Sequence, residues 1–327
     1  MTAMRVLLIG ATGYVASRTI SVLLGAGHTV IAAARSPEKL RALWWADRVT
    51  AARLDVTDDA SVSAAVAHSA ADAIVYLVHG MGGSDFRTVD RQSAQRVRRA
   101  ADAAGINRIV YLSGIIPAVG EERLSEHLIS RLEVEQELSR ASTTVITLRA
   151  AMIIGAGSTS LALVRQLATR LPVIVVPSWM RHLVEPIAIT DVAAAIEAAL
   201  RVDLPTGQFS IGGGTVMSYP ELIDLLTELS GLVRPQLPGG PLPEPLVAKA
   251  AAVLTDLPGS TVEALIESLQ GDMVSSGDSW RSELFAGAPA HQPLTPRAAL
   301  ARALAQPDLS LPAAERDPLA VMPGDRC

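Results

Sequence analysis

The sequence predicts an α/β protein: a doubly wound parallel sheet with a smaller, mostly helical C-terminal substrate lobe. Three observations predict it. Short apolar runs alternate with longer amphipathic stretches through the first half of the 327 residues. Those short runs show little apolar–polar alternation, as strands covered on both faces do. The first of them ends in a glycine-rich turn that opens a helix, the arrangement in which a glycine motif carries weight.

Taken in order, Arg5–Ile9 reads as a buried strand and Gly13–Ala26 as a helix. His28–Ala34 is a second strand and Pro37–Ala46 a helix; Val49–Leu54 is a third strand and Ala60–His68 a helix. Asp72–Leu77 and the long Arg87–Ala104 stretch form a fourth pair, and Asn107–Leu112 and Glu122–Arg140 a fifth. Thr144–Leu148 is a sixth strand. Repeated βα units of this length build a doubly wound sheet. Further on, Leu161–Leu171 reads as helix, Pro172–Val176 as a short strand, and Glu185–Ile189 and Gln208–Ile211 as strands around the helix Asp191–Arg201. Helical pieces follow at Pro220–Ser230, Pro245–Leu254, Val262–Leu269 and Pro296–Leu304, separated by Pro-rich joints such as 235–243. We therefore expect a nucleotide-binding domain over 1–155. The substrate lobe takes 156–182 and 214–305, and the tail over 306–327 is expected to fray.

Composition narrows the function. Hydrophobic residues are 49% and charged residues 19%, enough apolar material for a large core and too little charge for a disordered chain. A formal charge of −5 and 3% aromatics argue against nucleic-acid binding, which needs basic stripes and stacking rings. The single cysteine, Cys327, excludes a disulfide framework. The longest uncharged run, Leu204 to Pro220, is Gly-, Thr- and Ser-rich, so no membrane span is expected and the chain reads as cytoplasmic. No two of the six histidines stand four apart, and neither a His-Glu-x-x-His nor a Cys-x-x-Cys pattern occurs, so no metal site is expected. A Gly-x-Ser-x-Gly hydrolase elbow is also missing. No motif bears on self-association.

The glycine turn is Gly10-Ala11-Thr12-Gly13-Tyr14-Val15-Ala16. Bare backbone amides at a helix N-terminus suit a phosphate. Gly10 permits the tight bend, Gly13 lets a pyrophosphate approach the backbone, and Ala16 lets helix and strand pack closely. A dinucleotide is the expected ligand; the plain alternative is a βα turn of small residues. At the end of the second strand an NAD site usually carries an acidic residue for the ribose hydroxyls. This chain has Arg35-Ser36-Pro37 instead. A guanidinium there can pair with a 2′-phosphate, with Ser36 adding a bond or capping the next helix. NADP(H) is therefore favoured over NAD. Asp55, followed by Val56, either accepts from an adenine amino group or serves as a cap. The fourth strand ends at Leu77-Val78-His79, where the chain would pass the nicotinamide ribose.

These residues, with Leu54-Asp-Val, Arg108-Ile-Val-Tyr-Leu-Ser113-Gly and Leu148-Arg-Ala through Ile154-Gly, resemble the atypical short-chain dehydrogenase/reductases. The nearest groups are the NmrA-like and complex-I-subunit-like NAD(P)-binding proteins. The resemblance spans roughly 4–230 and implies a Rossmann fold, and Ile187-Ala-Ile-Thr-Asp191-Val-Ala with Phe209-Ser-Ile-Gly-Gly213 implies that 183–213 returns to its sheet. The resemblance also implies a serine, tyrosine and lysine as catalytic groups, the last two four residues apart on the helix after the fifth strand. Here the chain departs from the pattern: none of Tyr14, Tyr76, Tyr111 and Tyr219 has a lysine four residues on. Ser113 occupies the serine position. Arg131 and Glu135 match the Lys-x-x-x-Glu frame, which leaves His127 where the tyrosine would stand. In the functional reading Arg131 contacts the cofactor ribose and His127 is the proton donor. In the plain reading both lie solvated on an Arg/Glu-rich helix. Trp179, Met180, Arg181 and His182 are candidates to line the substrate cleft, or simply to pack.

The leading expectation is an NADPH-dependent oxidoreductase passing hydride to a carbonyl, quinone or other polarised double bond of a small apolar substrate. Alternatives are a non-catalytic NAD(P)-binding sensor and an accessory subunit with structural NADPH.

Overall fold

The computed structural model describes residues 3–80, 85–120, 122, 124–269, 271–277, 279–286 and 291–325. Cys327 lies outside them. Parallel strands β1 (Arg5–Ile9), β2 (Thr29–Ala34), β3 (Thr50–Arg53), β4 (Ala73–Tyr76), β5 (Arg108–Gly114), β6 (Thr144–Ala150) and β11 (Gly207–Ile211) form one sheet. Its order is β3-β2-β1-β4-β5-β6-β11, so the winding reverses between β1 and β4. That reversal opens a crevice at the carboxyl edge of the sheet.

Alternate residues of each strand feed two separate cores. Val6 and Leu8 of β1 pack with α1 (Tyr14–Gly25) and α6 (Ile189–Arg201), whereas Leu7 and Ile9 pack with α2 (Asp59–Ser69), α3 (Phe86–Ala104) and α4 (Glu126–Leu138). All four side chains are 0–1% exposed, which explains why the sequence shows no polar alternation there. Local chemistry sets the helix ends. Asp58 caps α2 by accepting from the amides of Ala60 and Ser61, Gly105 ends α3 in the left-handed region (φ 66°), and Ser125 caps α4 by accepting from Leu128.

The lobe is built from β7 (Ile153–Ile154), α5 (Thr159–Arg170), β8 (Ile174–Pro177), β9 (Leu183–Val184), β10 (Ile187–Ala188), β12 (Met217–Ser218) and α7 (Tyr219–Leu229). It continues through β13 (Gln236–Gly240), α8 (Glu244–Leu254), α9 (Gly259–Glu267), α10 (Ser279–Leu284) and α11 (Pro296–Leu304).

Five expectations are corrected. Of the segment 183–213 expected to return to the main sheet, only Gly207–Ile211 joins it; Leu183–Val184 pairs with β12 and Ile187–Ala188 with β7 in separate two-stranded sheets. Pro37–Ala46 is not one helix but two 3-10 turns, Pro37–Ala42 and Ala46–Arg48, because the chain breaks to bury Trp45, whose Nε1 donates to Ser17 Oγ at 2.9 Å. The helix expected from Glu122 begins at Glu126, behind the Ser125 cap. The joint at 235–243 contains strand β13, paired parallel to β8; as an edge strand it tolerates Pro238. The tail expected to fray is docked instead. Leu319, Ala320 and Met322 are 0–3% exposed, and the amide of Ala156 donates to the Leu319 carbonyl at 2.8 Å. Arg18 of α1, itself 1% exposed, donates from Nη1 and Nη2 to the two Asp325 carboxylate oxygens at 3.0 and 2.6 Å, and from Nε to the Pro318 carbonyl at 2.7 Å.

Removing one partner of such a pair leaves a buried, uncompensated charge. Arg18→Met is therefore expected to cost about 3–5 kcal/mol of unfolding free energy in chemical denaturation. A loss below about 1 kcal/mol, the usual value of an exposed pair, would show that the strap adds little.

Candidate functional site: a nucleotide crevice and an apolar cavity

The bend after β1 is held from both sides. The amides of Gly10 and Ala11 donate to the Ala33 carbonyl at 3.2 and 3.1 Å, and the Gly13 amide donates back to the Gly10 carbonyl at 3.0 Å. Gly10 has φ 94°, and a Cβ there would sit 3.1 Å from the Leu77 carbonyl oxygen. The positive φ favours glycine, and the 3.1 Å approach would crowd any side chain placed there. Gly13 then caps α1 with no side chain, and the first turn of the helix holds no acidic residue. The first turn of α1 thus carries no carboxylate of its own helix, which suits an anion at its N-terminus. Thr12 and Gly13 are exposed at the lip of the crevice. The Tyr14 ring packs on Gly155 and Gly157, where any side chain would collide with it, and lies 4.7 Å beneath the Arg18 guanidinium.

The parallel sheet brings the ends of β2, β3 and β4 to the same edge. Arg35 is exposed there and makes no hydrogen bond or ion pair among the described residues. Ser36 gives no cap bond to the following turn, so that expected duty is not used. Asp55 accepts from the amide (3.0 Å) and hydroxyl (2.7 Å) of Thr57, an Asx turn rather than a helix cap. These two bonds, then the charges of Arg35 and Arg53, hold its carboxyl below the usual range. Val56, Leu77 and Val78 are half-buried along this edge, and His79 is exposed.

Beyond β4 stands a cluster centred on Arg131. The missing side chain at Gly114 leaves room for its stem: a Cβ at Gly114 would lie 3.2 Å from Arg131 Cδ. Among the described residues Arg131 forms no ion pair. Its charge, followed by desolvation, pushes the His79 imidazolium well below its ordinary range. Water reaching His79 screens part of that repulsion, and the ring is neutral at pH 7 in either case. His127 stacks on Phe86, centroids 4.5 Å apart, and burial, then Arg131, lowers its pKa too. Nearby, the buried Asp90 carboxylate accepts the Gly80 amide at 2.9 Å and the Ser130 hydroxyl at 3.0 Å.

Ser113 does not join this cluster. It is 3% exposed, and its hydroxyl donates to Glu135 Oε1 at 2.6 Å, while Arg149 clasps the same carboxylate. Strand alternation explains the difference: Ser113 follows Tyr111 onto the α4 face, and Gly114 is the residue turned to the crevice.

Next to Gly114 and Arg131 opens a cavity of about 510 Å³, walled by α5, β8, α7, α8 and α9. Trp179 and Met180 line it as expected, and Trp179 Nε1 donates to the Leu242 carbonyl at 3.0 Å. Arg181 and His182 do not line it; His182 lies against Asp272 at 3.2 Å. Neither Ser113 nor His127 lines it.

Residues 10–165 match the family model described as NAD(P)H-binding. The chain carries an NAD(P)H-binding domain. One curated relative, the chloroplastic divinyl chlorophyllide a 8-vinyl-reductase of Zea mays, is 34% identical over 144 residues. That match spans 41% of this chain and about a third (35%) of the relative. Among solved structures, a nucleoside-diphosphate-sugar epimerase from Staphylococcus aureus superposes with a TM-score of 0.71 at 16% identity, covering 91% of this chain and 100% of that one. The Bordetella bronchiseptica enzyme WbmG, solved with NAD and UDP, superposes with a TM-score of 0.60 at 18% identity, covering 85% and 98%. The NAD(P)H-binding domain thus has the fold of the atypical short-chain dehydrogenase/reductases. Among the described residues no helix is long and apolar enough to cross a membrane, and no group of acidic, His or Cys side chains could hold a metal ion.

Three parts of the site escaped the sequence reading. Phe86 and Asp90, which hold His127 and Gly80, sit in a charged helix with no motif around them. The Arg18–Asp325 clasp joins residues 307 apart. The orientation of Ser113 was available from the alternation of 110–113.

Both histidines bind protons more weakly folded than unfolded. Below about pH 6.5 the unfolded chain gains protons that the fold refuses, so stability should fall on acidification and be unaffected above that value. Denaturation midpoints at pH 7.5 and pH 5.5 test this. A His79→Gln/His127→Gln double variant should lose less stability between them than the parent, and an identical loss in both would refute the assignment.

Proposed function

We propose that the protein is an NADPH-dependent oxidoreductase acting on a polarised double bond of an apolar substrate. The observation that carries this reading is the meeting of an open glycine turn, an unpaired Arg131 and an apolar cavity at one edge of the sheet. The NAD(P)H-binding match supports the cofactor class. The residues fit the group: a bend that favours glycine, helix amides with no acidic neighbour, and two arginines without carboxylate partners among the described residues.

Gly10, Ala11, Thr12, Gly13, Tyr14 and Val15 would hold the diphosphate. Arg35 and Ser36 would take a 2′-phosphate, Asp55 and Val56 the adenine side, and Leu77, Val78, His79 and Arg131 the nicotinamide half. When bound, the cofactor supplies or accepts a hydride at the nicotinamide. The cavity walls exclude water and orient the substrate beside Arg131. His127 handles the proton, and its acid form is populated only below its lowered pKa, so turnover that consumes a proton should slow as pH rises. Ser113, tied to Glu135, orders the end of β5 and has no part in the chemistry.

One observation favours a second reading, an NAD(P)H-responsive binder without turnover: Ser113 is committed elsewhere and His127 lies outside the cavity lining. Binding followed by cofactor fluorescence, alongside NADPH oxidation over a carbonyl and quinone panel, separates the two. Binding with no oxidation by any member selects the second.

Arg35→Ala should weaken NADPH binding by about 1.5–3 kcal/mol and leave NADH binding nearly unchanged, since a charge-assisted bond to the extra phosphate is lost. Equal losses for both cofactors would remove the 2′-phosphate assignment. His127→Ala should cut turnover about 100-fold with NADPH affinity intact; unchanged turnover would end its proton role.

A further inference from the structure

We infer that the cavity takes an amphiphile, with one polarised head beside Arg131 and a long aliphatic chain that runs through the lobe to an apolar mouth. This rests on the proposed oxidoreductase reading only for the head group; the chain site stands on its own observations. The first is polarity. The cavity is lined chiefly by aliphatic side chains, such as Leu163, Val164, Leu167, Ile223, Val247 and Leu265. Its polar side chains are Arg131, Ser160, Trp179, Tyr219 and Ser268. Ser268 spends its hydroxyl on the Ala264 carbonyl and Trp179 its Nε1 on Leu242, which leaves two hydroxyls and one guanidinium for a ligand's polar groups. A sugar or nucleotide buried here would leave hydroxyl after hydroxyl unpaired, each at a cost in free energy. Sharing a fold with sugar-nucleotide epimerases therefore does not extend to sharing their ligands.

The second is length. One face of α5 lines the cavity from Ser160 to Leu171, a run of about 16 Å at helical rise. An extended chain of about a dozen carbons spans that distance at ordinary bond lengths. The inner end meets Gly114, Arg131 and Met152.

The third is the outer end. Val175, Leu246 and Leu254 line the cavity and are also 50%, 63% and 37% exposed. Leu237, 54% exposed, pairs with Val175 across β13 and β8. Scattered exposed aliphatics are ordinary, but a set that collars a cavity marks an apolar entrance. The two-stranded ribbon and α8 are built around that entrance.

The test uses the full chain and the fluorescent probe cis-parinaric acid, displaced by hexanol, decanol or tetradecanol. Affinity should rise about threefold to fourfold per added methylene, levelling off near the length of the cavity. Leu246→Glu, a surface change at the mouth, should weaken tetradecanol at least about tenfold, as burying a charge beside the chain requires, and leave hexanol nearly unchanged. Val233→Glu, at a residue 84% exposed that does not line the cavity, should change neither. Equal affinity for hexanol and tetradecanol, or displacement of the probe by UDP-glucose, would overturn the inference. The matching aldehydes with NADPH keep the two readings apart. In that reaction the carbonyl carbon takes hydride, the oxygen takes the proton that His127 relays from solvent, and NADPH becomes NADP⁺. Chain-dependent binding with no NADPH oxidation by any aldehyde supports the amphiphile site and refutes turnover of these carbonyls. Oxidation of NADPH that is indifferent to chain length overturns the amphiphile site and leaves turnover standing.

Discussion

The approach of one α-carbon to another strand's backbone governs the molecule. Where β1 ends, Gly10 lies against the carbonyl of Leu77 and the side chain of Val78, which a Cβ would crowd at 3.1 Å, and its φ is one that side chains rarely adopt. That contact sets the crevice between β1 and β4, the place where the winding of the sheet reverses. It also fixes the direction of α1, whose opening turn faces the crevice with neither a capping side chain nor an acid. Everything that a dinucleotide would need on this edge is arranged outward from that bend.

Charge is distributed along the edge with the same economy. Most arginines near the sheet are matched: Arg149 with Glu135, Arg98 with Glu137, Arg18 with Asp325. Arg35 and Arg131 stand apart, one at each end of the crevice. Arg131 holds the neighbouring His79 below its ordinary range, and burial followed by Arg131 does the same to His127; perturbed groups of this kind cluster where ligands bind. The apolar cavity begins at Arg131, so the sheet presents a polar groove that continues into a greasy pocket with one cation at the junction.

Much of this was legible in the sequence. Strands buried on both faces betray themselves by lacking alternation, and Gly10 to Ala16 names its own geometry. The return of Gly207–Ile211 to the sheet was implied by the family resemblance of Phe209 to Gly213 rather than by an apolar run. What could not be read depended on partners far away in the chain. Trp45 breaks a promising helix because Ser17 offers it a bond. Gln236–Gly240 looks like a linker until β8 lies beside it. Ser113 matches a family position by spacing, and the opposite pleat takes its hydroxyl to Glu135. Local pattern fixed the elements; long-range pairing decided which side chains face the crevice.

The strap from Pro318 to Asp325 carries an implication for synthesis. Arg18 leaves the ribosome early, yet its carboxylate partner is translated 307 residues later. During that interval a guanidinium destined for the interior, and the Tyr14 ring beneath it, have no cover. The helix that faces the crevice is thus completed among the final steps of folding, and a nascent chain stalled short of residue 318 would display an open flank that chaperones and proteases can distinguish from the finished protein.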